Sequence, residues 1–178
     1  MRYSVFTCAT IFLGFSALAS SALADDPCAA FTWNVEHERA LFDGQPFVVA
    51  AGQTNAASPT LVADRLYQLE LNGQSAVTFA STPGRKSTTG GAYAGLARFT
   101  VETGGVYRVA LDQKVWVDVV ANGSVVPAKD FQGRAGCNAP HKIVEFQLPA
   151  KTLTTLQFSG GTGPALKVAV TRAPAATS

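Results

Sequence analysis

The chain has 178 residues, 47% of them hydrophobic, and Lys plus Arg outnumber Asp plus Glu by only 14 to 12. The basic residues are scattered, so the chain lacks the concentrated positive stretch that duplex nucleic acid or an anionic membrane surface requires. The length suits one domain with a sizeable core.

Residues 1–24 read as a secretory signal peptide: Arg2, then an apolar stretch, then the small-residue site Ala22, Leu23, Ala24 ahead of Asp25. Thr7, Thr10, Gly14 and Ser16 interrupt the apolar stretch, which is short for a membrane span. The expected organisation is a signal at 1–24 and one domain at 25–178, periplasmic or secreted and without a membrane span once cleaved. Cleavage removes Arg2 from the 14 basic residues, leaving 13 against 12 acidic ones. It also removes Cys8, and the remaining Cys28 and Cys137 predict one disulfide in an oxidising compartment. The C-x-x-C spacing of a redox or metal-binding thiol pair is missing.

Along the mature chain, Phe31, Trp33 and Val35 alternate with polar residues and predict a first strand. Residues 36–42 fit either an extension of that strand or one helical turn before Asp43-Gly44. A short apolar run at 47–51 and a polar loop at 52–59 follow. Tyr67, Leu69 and Leu71 alternate inward; Asn72-Gly73 is expected to turn the chain, and 77–80 to return as the partner strand. Residues 81–91 are a glycine-rich surface loop in which Arg85, Lys86, Ser87 and Thr88 lack the spacing of a phosphate-binding motif. A strand at 96–101 leads into the most regular stretch, 104–120, where Tyr107, Val109 and Leu111 share one face and Val115, Val117 and Val119 another. Arg108 and Asp118 take the opposite phases, and the polar break at 112–114 predicts a hairpin. LYQLELN at 66–72 matches VYRVALD at 106–112 in apolar phase except at Glu70, which suggests two similar hairpins of one sheet system.

Asn122-Gly123 between valine pairs is the strongest short hairpin signal. Residues 131–141 form a long loop anchored by Cys137. Three strands close the chain: 143–148, with Ile143 out of phase with Val144, Phe146 and Leu148, then 153–158 and 165–170. Eight or more short strands without an amphipathic helix predict an all-β, single-domain antiparallel β-sandwich, jelly-roll or immunoglobulin-like, with one disulfide.

Few residues suggest chemistry. His37 and His141, with Glu38 (or Glu36) and Glu145, contain the elements of a two-histidine, one-carboxylate iron site, although neither histidine has another at strand spacing. No G-x-S-x-G motif is present, and Asp118 reads as a solvated strand residue. Trp33 and Trp116 are either core plugs or stacking surfaces; Trp116 shares the phase of Asp118, and with Arg108 across the hairpin it forms a candidate contact patch.

The passage ARFTVETGGVYRVAL at 97–111 resembles the strand, glycine turn and strand of bacterial pre-peptidase C-terminal-type β-sandwich domains. With CAAFTW near the mature start and the closing L-x-x-L-x-F-S-G strand, the chain is similar to small exported proteins of alphaproteobacteria. Some of these carry a homogentisate 1,2-dioxygenase name, although the metal-binding motif of that much larger enzyme does not map onto His37 and His141. The resemblance implies export and the β-sandwich. The expected function is therefore a monomeric, exported, non-catalytic binding or envelope accessory domain without a cofactor. Its partner would be a small molecule, a glycan or an envelope protein. The alternatives are a small non-haem iron dioxygenase and a carbohydrate-binding module.

Overall fold

The computed structural model describes residues 26–85 and 90–174. The expected signal peptide, with its cleavage site, lies outside them. The fold is an all-β sandwich. Its strands are β1 (Phe47–Ala50), β2 (Thr60–Leu61), β3 (Leu66–Glu70), β4 (Asn72–Gly73), β5 (Tyr93–Val101) and β6 (Gly105–Leu111), followed by β7 (Trp116–Ala121), β8 (Ser124–Val126), β9 (Ala128–Gly133), β10 (Lys142–Leu148), β11 (Thr152–Gly161) and β12 (Ala165–Arg172). The first sheet has the order β1-β3-β12-β6-β10-β9; the second has β2-β5-β11-β7-β8, with β4 also paired to β5. The β1–β3 and β2–β5 pairs are parallel, which makes both sheets mixed rather than purely antiparallel.

The regular stretch at 104–120 is not a hairpin. β6 pairs with β10 and β12 in the first sheet, whereas β7 pairs with β11 and β8 in the second. Residues 112–115 form the corner between the sheets, where the Asp112 carboxylate accepts from the Lys167 N–H. Alternation marks the buried face of each strand correctly, because Tyr107, Val109 and Leu111 meet Val115, Val117 and Val119 inside the sandwich. It does not say whether two such strands lie side by side or face to face. The similarity of 66–72 to 106–112 has the same origin, since β3 and β6 flank β12 and bury the same side.

The return strand expected after Leu71 is also absent. Residues 77–80 are irregular, and Asn72-Gly73 continues in extended form as β4 instead of turning. Asn122-Gly123, at φ of 50° and 76°, does form the tight β7–β8 hairpin.

The N-terminal segment covers the outer face of the first sheet instead of joining it. Residues 31–35 are irregular and lead into a helix, α1 (Glu36–Phe42). Val35 and Phe42, helped by Phe31, Trp33 and Leu41, pack on Leu66, Ala110, Ile143 and Ala169 to form a second small core. Ala110 and Ala169 are cross-strand partners, and their small side chains leave room for α1. The Cys28–Cys137 disulfide ties this cover to the β9–β10 loop. No helix among the described residues is long and apolar enough to cross a membrane.

Candidate functional site

Polar residues on the two outer faces sit in short cross-strand rows, each closed by a segment from elsewhere in the chain. On the first sheet, Thr171, Arg108 and Glu145 are register partners on β12, β6 and β10. Arg108 Nε donates to Glu145 Oε1 at 3.0 Å and Nη1 donates to the Asn34 carbonyl at 2.8 Å. From α1, Glu38 reaches down to take the Thr171 hydroxyl at 2.7 Å and Arg108 Nη1 at 3.4 Å. Trp33 covers the guanidinium, with its ring centroid 5.0 Å from Arg108 Cζ. Arg108, Glu38 and Glu145 are all buried.

This arrangement separates the residues that sequence reasoning grouped as metal ligands. Glu38 and Glu145 converge, but on a guanidinium. His37, on the solvent side of α1, is 2.8 Å from Asp64, and His141 Nδ1 lies 3.1 Å from the Cys137 carbonyl. Among the described residues no group of three histidine, cysteine or acidic side chains is placed to hold a metal ion. The proposed Arg108–Trp116 patch is also corrected, because the two residues occupy different sheets. Arg108 belongs instead with Trp33, beside a cleft of about 280 Å³ lined by Cys28, Phe31, Glu36 and Arg39 among others.

On the second sheet, Asp118 of β7 and Gln157 of β11 are register partners, and residues 81–85 lie across them. Gln157 exchanges two hydrogen bonds with the Ser81 backbone, through Oε1 and Nε2, both at 3.1 Å. Asp118 accepts from Gly84 N–H at 3.1 Å, Gln157 Nε2 at 3.2 Å and Trp116 Nε1 at 2.8 Å. The residue expected to be solvated is thus only 6% exposed. Both carboxylate oxygens fasten the overlying segment and the indole. Gly84 is in close contact: a Cβ there would come within 2.9 Å of Asp118 Oδ1 and 3.2 Å of Trp116 Nε1.

Trp116 is consequently fixed in orientation yet 38% exposed. At its side stands Lys142, the first residue of β10, whose Nζ donates to the Val115 carbonyl at 2.7 Å and lies 6.0 Å from the indole centroid. Burial pushes the Lys142 ammonium below the usual lysine range, and nearby Arg85 lowers it further. No family model matches the chain, and no curated protein does.

Sequence reasoning missed Lys142, although a signal was there. It shares the phase of Val144, Phe146 and Leu148, so alternation alone assigns a lysine to the apolar face. Because Lys142 stands at the strand's end, its stem can leave the core across the rim and deliver the ammonium to the opposite sheet.

Proposed function

We propose that the protein is an exported, non-catalytic binding domain whose contact surface is the Trp116 end of β7, and that it takes saccharide ligands. One observation carries this reading: a half-exposed indole is held in a set orientation by a buried carboxylate whose other oxygen accepts from the Gly84 N–H and the Gln157 amide. A pre-oriented aromatic face with polar groups at its edge suits a sugar ring, because its orientation is settled before binding. Glu38, Glu145, His37 and His141, which sequence reasoning considered for a metal site, support the same reading, since they are engaged in pairing within the fold. The disulfide favours an oxidising compartment, which agrees with export.

The chain has two tryptophans, so Trp33→Phe leaves Trp116 as the sole indole reporter. Titration of that variant with neutral and acidic oligosaccharides is expected to shift or quench its emission for at least one of them. The corresponding affinity, measured by calorimetry on the otherwise native chain, is expected to vanish in Trp116→Ala. A flat response to every saccharide, or affinity that survives Trp116→Ala, refutes the reading.

A further inference from the structure

We infer that the ligand at Trp116 is acidic: a saccharide carrying a carboxylate or sulfate, whose oxyanion is bound between Lys142 and Arg85 while its ring rests on the indole. The inference rests on the binding role proposed for Trp116 and adds the charge of the ligand.

Lys142 and Arg85 reach this place from different parts of the fold, a strand of the first sheet and the loop over the second. The Lys142 stem crosses from β10 to the start of β7 and is anchored there by the Val115 carbonyl. Arg85 follows Gly84, whose N–H is held by Asp118 and where a Cβ would come within 2.9 Å of Asp118 Oδ1 and 3.2 Å of the indole. Lys142 is therefore held beside the aromatic ring, and Arg85 is the next residue after the glycine packed against that ring. Among the described residues, no carboxylate lies within ion-pair distance of either one. Asp118 is close by, but its oxygens face the indole N–H, the Gly84 N–H and the Gln157 amide.

Burial is the larger cause that holds the Lys142 ammonium below the usual lysine range, and repulsion from Arg85 adds to it. An oxyanion between them removes the repulsion and gains charge-assisted hydrogen bonds. An ammonium has three N–H donors, and the Val115 carbonyl takes one of them. A neutral sugar stacked on Trp116 leaves the cations as they were. An isolated anion forgoes the indole.

The test compares trigalacturonate with its methyl ester, which has the same rings without the charge, and adds a heparin-derived tetrasaccharide as the sulfated arm. Binding is followed by calorimetry and by Trp116 emission in the Trp33→Phe background. At least one acidic ligand is expected to bind, weakening as salt is raised. The ester is expected to bind about tenfold more weakly than the acid, or worse, and Lys142→Gln and Arg85→Gln each to cost the acid a similar factor. Arg85 is exposed, so its variant reports on binding without disturbing the core. Equal binding of acid and ester, abolished by Trp116→Ala, overturns the charge inference and leaves the Trp116 reading standing. Full affinity for the acid in both charge variants also overturns it. If neither acidic nor neutral saccharides bind, both readings fall.

Discussion

Arg108 directs its donors to Glu145, to Glu38 and to the Asn34 carbonyl, and in doing so supplies the one positive charge that two buried carboxylates from different elements share. Replacing it by Met keeps much of the apolar stem but leaves both acids without a cation. Breaking a buried ion pair in this way costs about 3–5 kcal/mol. Urea unfolding of Arg108→Met is expected to show a loss of that size, whereas a loss under about 1 kcal/mol would mean the trio behaves like a surface pair. Asp112 is a second residue whose environment has a measurable consequence. Burial raises its carboxyl above the ordinary range, although the Lys167 N–H works in the other direction. A carboxyl raised on folding favours the folded state at low pH, and that contribution is lost as pH rises through its folded titration. The stability of Asp112→Asn relative to the parent is therefore expected to improve from about pH 4 to 7, as thermal midpoints across that range will show. A constant or shrinking difference would contradict the assignment.

At the scale of elements, α1 has seven residues and no side-chain cap at Val35, too little to persist alone. It is held by Val35 and Phe42 on the second core, by Glu38 on Arg108 and Thr171, and by a disulfide just upstream. The two cysteines are 109 positions apart, and closing a loop of that size is worth up to about 4.7 kcal/mol in the chain-entropy model. The Cys28→Ser, Cys137→Ser double variant is expected to lose a substantial part of this. Its first proteolytic cuts should fall in residues 28–42, because that segment covers a face and pairs with no strand. Limited proteolysis with mass analysis checks this; first cuts inside β6 or β11 would show that the bond holds the sandwich itself.

For the whole molecule, the dominant feature is that most successive strands change sheet. β3 finds its antiparallel partner in β12, with Leu66 opposite Ala169, and β5 finds its own in β11. Such pairings must close long loops before any contact compensates for the lost chain entropy, which places folding in about the millisecond-to-second range. Stopped-flow tryptophan emission with the disulfide intact measures the rate, and submillisecond folding would be inconsistent with this topology.

Much of the fold was legible in the residues alone. Alternation identified the buried face of β3, β6, β7 and β10, Asn122-Gly123 placed its hairpin, and the cysteine count identified the disulfide. Each is a local property, or one with a single possible answer. The pairing of strands, the use of 31–42 as a cover and the meeting of Arg108 with Glu38 and Glu145 were not legible. The Trp116, Lys142 and Arg85 cluster also escaped notice, because its members come from a loop and two strands in opposite sheets. Local alternation determines which side of a strand turns inward; only tertiary packing decides what lies on the other side.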